Sequence, residues 1–280
     1  MFSQVDEVLL NALREDLGNG DVTTLSLVPE KSRASAVVVA KDNIVVSGLP
    51  FAERVFTLVD ETLRFKARKR EGSSARKGDI IATVRGRTRS LLMAERTALN
   101  VLQRNCGIAS LTGKYVMAVQ GLNVKIVDTR KTAPGLRFLD KYAVKTGGGH
   151  NHRFGLYDGI LIKDNHIAAA GGIGNAVRRA REVAHHLFKV EVEASTFTEV
   201  KEAVRAGADI IMLDNMSLQD MRKSVDIIRG RDTRVLIEAS GNVTLENVRK
   251  VAETGVDIIS VGALTHSAAA ADLSMKIKPE

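Results

Sequence analysis

The sequence is poor in cysteine and in aromatic residues: its 280 residues include one cysteine, no tryptophan and only 4% aromatic residues. A single cysteine, Cys106, excludes an internal disulfide and fits a reducing compartment. No apolar run approaches the roughly 18 residues that are needed to cross a bilayer. Acidic residues stand near the N-terminus, where a signal peptide carries basic ones. We therefore expect a cytoplasmic protein without a membrane segment.

The net charge of +8 raises the question of a nucleic-acid partner. Surfaces that bind RNA combine positive charge with aromatic rings that stack on the bases, and rings are scarce here. The densest basic run, residues 64–70, lies between Glu61 and Glu71 and alternates like the solvated edge of a sheet. A subunit contact and a nucleic-acid surface are the alternatives for this run. We expect no nucleic-acid partner.

The first part of the chain mixes helices with short strands. Residues 5–17 have apolar residues at helical spacing, and Gly18 and Gly20 end that helix. Short strands and tight turns follow between residues 34 and 87. Apolar residues from Leu91 onward then predict a helix that stops near Cys106-Gly107.

After Gly107 short apolar strands alternate with helices, which predicts parallel βαβ units. A barrel that is short of the usual eight strands is favoured, and a doubly wound sheet is the alternative. The predicted strands span residues 124–127, 159–162, 189–192, 209–213, 235–237 and 257–261, and the predicted helices span residues 176–188, 197–206, 218–228 and 245–253.

Polar groups follow nearly every predicted strand in this part of the chain. In a parallel barrel the C-terminal ends of the strands meet on one face, where active sites lie. We therefore expect one mouth that collects three sets of groups. The sets are the cations Arg130, His152, Arg153 and Lys163, the carboxylates Glu193 and Asp214, and the small-residue turns at 238–242 and 260–263.

The cations suit a small dicarboxylate, because guanidinium groups bind carboxylates through two parallel hydrogen bonds. The alternative is that Arg130, Arg153 and Lys163 are paired with the nearby residues Asp128, Asp158 and Asp164.

The carboxylates and the turns suit a phosphorylated cosubstrate. Glu193 and Asp214 fit Mg²⁺ that is held mainly by substrate phosphates, and they also fit ion pairs with Lys163 or Lys131. The turns expose main-chain N–H groups beside the start of a helix, which suits a monophosphate.

Other polar residues have simpler interpretations. The glycines at 147–149 are interpreted as a flexible turn that brings His152 and Arg153 inward. A zinc site at His150 and His152 is disfavoured, because no third ligand has metal-site spacing. His185 and His186 are predicted to lie on the surface of a helix, and Cys106 is interpreted as a small packed residue.

Eight blocks of the sequence resemble the quinolinate phosphoribosyltransferase family, also called nicotinate-nucleotide pyrophosphorylase (carboxylating). The resemblance implies an α/β fold with an N-terminal α/β sandwich domain over residues 1–107, joined by the C-terminal tail 267–280, and an incomplete parallel α/β barrel over residues 108–266. The blocks are EDLGNGDVTT, AERTALNVLQR, DTRKTAPGLR, GGGHNHRFGLYDGILIKDNHI, VEVE, IIMLDN, EASGN and SVGALTHS.

The resemblance implies a reaction of NAD biosynthesis. Quinolinate and phosphoribosyl pyrophosphate (PRPP), with Mg²⁺, would give nicotinate mononucleotide, pyrophosphate and CO₂. It also implies a homodimer, or a hexamer that is a trimer of dimers, in which Arg96 reaches the pocket of the partner subunit.

The resemblance also assigns roles by position. Catalytic roles fall to Lys131, Lys163, Glu193 and Asp214, and Mg²⁺ would be held by the last two, mainly through PRPP. The residues assigned to substrate binding are Arg96, Thr129, Arg130, Lys131, His152, Arg153, Lys163, Glu193, Asp214, Ser240, Gly241, Asn242, Val261, Gly262 and Ala263.

This sequence departs from the family pattern at two positions. Cys106 stands where the family usually has serine, and Asn242 stands where glycine is common. Two other functions remain as alternatives. One is a phosphoribosyltransferase for another small acid, and the other is a carrier, because residues 71–84 resemble a lipoyl-carrier hairpin.

Overall fold

The computed structural model describes residues 2–280, with side chains from residue 5 onward. It divides into two compact units. Unit 1 contains the chain up to Gly113 together with Thr132–Gly148 and Leu264–Glu280, and unit 2 contains Lys114–Lys131 and Gly149–Ala263. The domain limits that the resemblance implies remain a prediction. Among the described residues, every helix is too short or too polar to span a bilayer.

The secondary structure alternates between helices and strands along the whole chain. In chain order the elements are α1 (Phe2–Leu17), α2 (Val22–Leu27), β1 (Arg33–Ala40), β2 (Ile44–Val45), α3 (Leu49–Val59), β3 (Arg64–Ala67), β4 (Ser74–Ala75), β5 (Ile80–Arg87), α4 (Thr88–Ala118), β6 (Lys125–Val127), α5 (Arg137–Thr146), β7 (Ile160–Ile162), α6 (Asp164–Ala170), α7 (Ile173–Val183), β8 (Val190–Ala194), α8 (Phe197–Arg205), β9 (Ile210–Asp214), α9 (Leu218–Arg229), β10 (Leu236–Ser240), α10 (Val248–Ala252), β11 (Ile258–Ser260), α11 (Ala263–His266) and β12 (Leu273–Pro279).

Unit 1 is built on a four-stranded antiparallel sheet with the order β12-β1-β5-β3. Buried residues alternate along β1, so that one face of the sheet lies on the core, with α1 and α3 contributing to the same core. The C-terminal strand pairs with β1 from Ala34–Pro279 to Ala40–Leu273, which confirms the predicted return of the tail. The basic run at 64–70 begins with the edge strand β3, where Arg64 and Lys66 are exposed, as predicted.

The prediction that a helix stops near Cys106-Gly107 is wrong, because α4 runs through both residues to Ala118. Gly107 serves a different purpose. A Cβ atom at this position would lie 2.1 Å from the carbonyl oxygen of Ala269. Glycine is therefore needed so that the C-terminal segment can pass close to the helix in unit 1.

Unit 2 is built on six parallel strands with the order β6-β11-β10-β9-β8-β7. All six predicted strands are confirmed, with ends that shift by a few residues. The strands from β7 to β11 follow chain order and β6 joins β11, which is the order of a barrel rather than of a doubly wound sheet. Since β6 and β7 are the two ends of the sheet, the barrel is incomplete, as expected.

In the segments between strands, one prediction about local structure is wrong and the turn predicted at the glycines 147–149 is present. Helix α7 ends at Val183, so His185 and His186 lie beyond it, although both are exposed as predicted. The glycines at 147–149 begin at the end of α5, where a Cβ atom on Gly147 would lie 2.4 Å from the carbonyl oxygen of Ala109. Gly147 is thus required by close packing in unit 1.

Helix α5 was missed, and with it the location of three cations. Arg137, Lys141 and Lys145 lie on this helix in unit 1, and Lys141 is fully buried. The flanking glycines and the many charges hid the helical spacing of the apolar residues.

Cys106 is a packed residue, as interpreted from the sequence. Its side chain has no exposed surface, and its sulfur atom lies 3.3 Å from both the main-chain nitrogen and the carbonyl oxygen of Ser47. Burial raises the pKa of the thiol to about 12, although a hydrogen bond from the Ser47 main chain acts in the opposite direction. The thiolate is therefore absent at neutral pH, and a nucleophilic role has no support.

We expect the thiol of Cys106 to be inert in the folded protein at pH 8. A disulfide reagent such as Ellman's reagent should titrate one thiol per chain in guanidinium chloride and essentially none under native conditions, because the reagent needs an accessible thiolate. A variant with an additional cysteine at an exposed position, Ser26→Cys, should react at once and serves as the control. Rapid native reaction of the parent protein would contradict the buried position.

Candidate active site

The register of the parallel strands aligns polar side chains inside the barrel of unit 2. Glu193 on β8 pairs with Met212 on β9, and Met212 pairs with Glu238 on β10. One layer further along, Asp214 pairs with Ser240. Paired residues of neighbouring strands point to the same face of a sheet. The ends of β8, β9 and β10 therefore present carboxylates and a hydroxyl group in two successive layers.

Lys163 follows β7 and forms an ion pair with Glu193, with 2.5 Å between Nζ and Oε2. This contact is the ion pair that the sequence analysis kept as an alternative for Glu193. Lys163 thus pairs with Glu193 rather than with its neighbour Asp164, which accepts a hydrogen bond from the Asn165 main chain. The side chain of Lys163 is 47% exposed and that of Glu193 is 13% exposed. Half-exposed pairs of this kind stabilise a fold by less than about 1 kcal/mol, so the ammonium group can exchange partners at little cost.

Arg153 lies close to Arg130, and its guanidinium group is partly buried. Burial and the positive charge of Arg130 lower the pKa of Arg153, and the negative charge of Glu191 offsets part of this effect. The Nη1 atom of Arg153 donates a hydrogen bond to the carbonyl oxygen of Gly159 at 2.9 Å. Two guanidinium groups that repel each other form a site that an anion stabilises.

The segment 149–153 reaches this position because it is hydrogen-bonded to β6 and the residue after it. His150 forms a parallel bridge with Val127, and its N–H group donates to the carbonyl oxygen of Ile126 at 2.8 Å. The N–H group of His152 donates to the Asp128 carboxylate at 2.9 Å, and Asp128 is fully buried. The chain is thereby held beside the end of β6, which carries Arg130.

The ring of His152 contacts groups on both of its nitrogen atoms. Its Nδ1 atom accepts a hydrogen bond from the N–H group of Arg153 at 2.8 Å. Its Nε2 atom lies 3.2 Å from Oε2 of Glu191 and 3.7 Å from Oε2 of Glu238. Glu191 is 5% exposed and Glu238 is 1% exposed. Burial, followed by the charge of Glu191, raises the pKa of Glu238 to about 7.

The sequence analysis gave no role to Glu191 or Glu238. The available signal was the period of two along a strand: Glu191 precedes Glu193 by two residues, and Glu238 precedes Ser240 by two, so each faces the barrel interior with its partner. The statement that His152 has no third metal ligand holds only for sequence spacing. In space, donor atoms of His152, Glu191 and Glu238 lie within 4.8 Å of one another.

The turn at 240–242 is held in an unusual conformation. Asn215 and Asn242 have φ angles of 53° and 51°, and Gly241 has a φ angle of 92°. Nδ2 of Asn242 donates to Oδ1 of Asn215 at 3.0 Å, and the Asn215 N–H group donates to the carbonyl oxygen of Ser240 at 2.9 Å. Asparagine tolerates the left-handed region better than most residues, which explains why it can replace the glycine of the family pattern at 242. Such conformations cluster at functional sites.

The helix N-termini that were expected beside the two turns contribute little to phosphate binding. Helix α10 was predicted from residue 245 but begins at Val248, and α10 and α11 have five and four residues. A short helix has a weak dipole, so main-chain N–H groups are the remaining basis for phosphate binding there. The N–H group of Val261 already donates to the carbonyl oxygen of Val127.

The other predicted residues lie in two places. Thr129 and Lys131 follow β6, and the hydroxyl oxygen of Thr129 accepts a hydrogen bond from the Lys131 main chain at 3.0 Å. Asp214 ends β9, and its Oδ2 atom accepts a hydrogen bond from Nδ2 of Asn215 at 2.6 Å. Arg96 is exposed on α4 in unit 1, and its role in a partner's pocket remains a prediction. Unit 2 contains all the other predicted site residues.

Two sequence profiles of known families match nearly the whole chain. "Quinolinate phosphoribosyl transferase, N-terminal domain" matches residues 21–106, and "Quinolinate phosphoribosyl transferase, C-terminal domain" matches residues 108–276. The chain is 43% identical to the probable nicotinate-nucleotide pyrophosphorylase [carboxylating] of Bacillus subtilis (strain 168), over 98% of this chain and 93% of that protein. It is 45% identical to the protein of the same name from Synechocystis sp., over 98% and 92% of the two chains.

Solved structures agree with these matches. The crystal structure of NadC from Streptococcus pyogenes superposes with a TM-score of 0.94 at 42% identity, covering 100% of this chain and 98% of that one. The nicotinate-nucleotide pyrophosphorylase from Francisella tularensis superposes with a TM-score of 0.93 at 38% identity, covering 99% and 96%. With both domain profiles matched and relatives above 40% identity over almost the full length, this chain belongs to the quinolinate phosphoribosyl transferase family.

Proposed function

We propose that this protein transfers the phosphoribosyl group of PRPP to quinolinate and releases CO₂, forming nicotinate mononucleotide and pyrophosphate for NAD biosynthesis. The names of its relatives support this activity. The structural observation that carries the proposal is the tie between residues 149–153 and the end of β6, which brings Arg153 near Arg130. Burial, followed by the positive charge of Arg130, lowers the pKa of Arg153, so that a bound anion would stabilise its charged form.

Quinolinate suits the cationic mouth because it carries two neighbouring carboxylates on a flat ring. Arg130 and Arg153 would each bind a carboxylate through charge-assisted hydrogen bonds, which contribute about 1.5–3 kcal/mol each. Lys163 would exchange its contact with Glu193 for a contact with the substrate. A monocarboxylate would satisfy only part of this set, so a diacid is the preferred substrate.

PRPP would lie beside quinolinate along the ends of β8 to β11. Glu193 and Asp214 fit Mg²⁺, since carboxylate oxygens are hard ligands and two of them leave most coordination positions to phosphate oxygens and water. When bound, Mg²⁺ neutralises part of the charge on the pyrophosphate group. Thr129 and Lys131 would face the pyrophosphate side, and the turns Ser240–Asn242 and Val261–Ala263 would hold the 5′-phosphate.

The reaction depends on the orientation of the two substrates more than on acid or base catalysis by the protein. The quinolinate nitrogen forms a bond to C1 of the ribose while the bond from C1 to the pyrophosphate oxygen breaks, through an oxocarbenium-like state. The ammonium group of Lys131 would stabilise the departing negative charge. The ring is then cationic, so that when the bond between C2 and its carboxylate breaks, CO₂ leaves and the electron pair left on C2 is stabilised by the adjacent N⁺. A proton from water then binds to C2 and completes nicotinate mononucleotide.

Holding the two substrates at contact distance is therefore the main contribution of the site. Such alignment is worth roughly 7 to 11 kcal/mol of the barrier. The cations that would bind quinolinate and the turns that would bind the phosphate lie beside the ends of strands in one parallel barrel. A rigid scaffold of this kind suits the alignment of two substrates.

The complete site would be shared between two subunits. Arg96 is exposed on α4, as a residue donated to a partner must be. The assembly would be a homodimer or a trimer of dimers.

We expect the purified protein to release CO₂ from quinolinate labelled in its 2-carboxylate, in the presence of PRPP and Mg²⁺, with one pyrophosphate per CO₂. Nicotinate, which lacks that carboxylate, should give no mononucleotide at comparable concentrations. Consumption of nicotinate without turnover of quinolinate would instead identify a phosphoribosyltransferase for another acid.

Replacement of Arg153 by alanine should raise KM for quinolinate and lower kcat/KM by about two orders of magnitude, which corresponds to about 3 kcal/mol. The reason is that the variant loses the guanidinium group that fixes one carboxylate. Steady-state kinetics measure the effect, and Arg178→Ala, an exposed arginine on α7, is the matched control. Unchanged kinetics in Arg153→Ala would remove this residue from the site.

Mixing Arg96→Ala with Lys163→Ala subunits should restore activity that neither variant has alone. In a mixed dimer one of the two sites receives Arg96 from one subunit and Lys163 from the other, so a random 1:1 mixture should reach roughly a quarter of the parental activity. The mixture is prepared by co-expression and assayed for CO₂ release. Absence of any recovery would argue against a donated arginine.

A further inference from the structure

Glu191 and Glu238 are almost completely buried, and both face His152 inside the barrel. The Oε1 atom of each is buried without a hydrogen-bond partner among the described residues. Leaving a polar atom buried in this way lowers the stability of the fold. A barrel interior is normally filled with branched apolar side chains. Carboxyl groups at these two positions therefore require an explanation.

The hydrogen bonds of His152 assign its tautomer. A ring nitrogen that accepts a hydrogen bond carries no proton, and Nδ1 accepts from the Arg153 main chain at 2.8 Å. The proton of the neutral ring is then on Nε2. This atom faces Glu191 Oε2 at 3.2 Å and Glu238 Oε2 at 3.7 Å. The imidazole therefore links Glu191, which is at hydrogen-bond distance, to the main chain of Arg153, and Glu238 lies just beyond that distance from the same nitrogen.

This tautomer argues against a metal ion between the three residues, although their donor atoms lie within 4.8 Å of one another. A divalent cation would need the lone pair of Nε2, which would move the proton to Nδ1. The N–H group of Nδ1 and the main-chain N–H group of Arg153 would then face each other, and neither could accept a hydrogen bond. The arrangement accommodates a proton on Nε2 and opposes a metal.

We propose that Glu191 and Glu238 are positioning residues for the dicarboxylate: Glu191 accepts the Nε2–H hydrogen bond of His152, Glu238 lies beside the same ring nitrogen, and the ring holds the Arg153 main chain so that its guanidinium group stays beside Arg130. This inference rests on the proposed function. It also changes the role of His152, since both ring nitrogens face protein groups. His152 acts through Arg153.

The charges of the two glutamates agree with this role. The negative charge of Glu191 raises the pKa of Arg153, against the effects of burial and of Arg130. It also raises the pKa of Glu238, so that the buried pair need not carry two full negative charges. The charge of Glu191 is secondary to its hydrogen bond, because the guanidinium group of an arginine stays protonated at neutral pH with or without it.

The test compares leucine and glutamine at each position. Leucine has a similar volume but accepts no hydrogen bond, whereas glutamine keeps an acceptor for Nε2–H. Glu191→Leu and Glu238→Leu should raise KM for quinolinate by about tenfold or more while KM for PRPP stays within about twofold. Glu191→Gln and Glu238→Gln should stay near the parental values. Glu182→Leu, an exposed glutamate on α7, is the control for the substitution itself.

The parental protein is assayed first, so that two failures can be distinguished. No CO₂ from quinolinate in the parent would overturn the proposed function, whereas an active parent with unchanged quinolinate KM in both leucine variants would overturn the positioning role. Melting curves show whether each variant folds.

A second measurement reads the His152 ring in the parental protein itself, and a variant serves only to assign its signal. Long-range ¹H–¹⁵N spectra of the six histidines, with His152 assigned through His152→Gln, should show the Nε2–H tautomer for His152. A ring protonated on Nδ1 alone would overturn the inference.

Discussion

The buried carboxylate of Asp128 organises the cationic site, because it accepts the N–H group of His152 just after the last residue of β6. Together with the bridge between Val127 and His150, this bond ties a loop from beyond α5 to the end of β6. Arg130 and Arg153 are separated by more than twenty residues in sequence, and this tie makes them neighbours. Because these two guanidinium groups repel each other, an anion that binds at the mouth of the barrel would be stabilised by both.

Nearby carboxylates offset part of the electrostatic repulsion between the cations of the site. Glu193 pairs with Lys163 at the exposed end of the barrel, and Glu191 supports Arg153 from the interior. The exposed pair is cheap to separate, while the interior group is fixed by burial. The two glutamates lie two residues apart on β8 and so serve the same face at different depths. A single strand thereby supplies both an exchangeable and a permanent counter-charge.

The sequence predicted the strands of the barrel and the polar groups at their ends, because apolar runs and the residues that follow them are local signals. It failed where a distant segment decides the outcome. Gly107 looked like a helix end, but the C-terminal segment that requires this glycine lies more than 150 residues later. Glu191 and Glu238 were visible only as charges within apolar strands, and their meeting with His152 depends on three separate segments. Asn242 could be noticed as a departure, but its left-handed backbone could not.

The pairing of β12 with β1 has a consequence for how the chain is made on the ribosome. One side of β1 has no partner until β12 emerges, whereas the continuous stretch from Gly149 to Ala263 is already complete by then. An exposed strand edge is a template for unwanted pairing between molecules. During translation, the sheet of unit 1 therefore keeps an open edge while more than 230 residues between β1 and β12 are synthesised, and a ribosome that stalls before the codons of β12 leaves that edge uncovered.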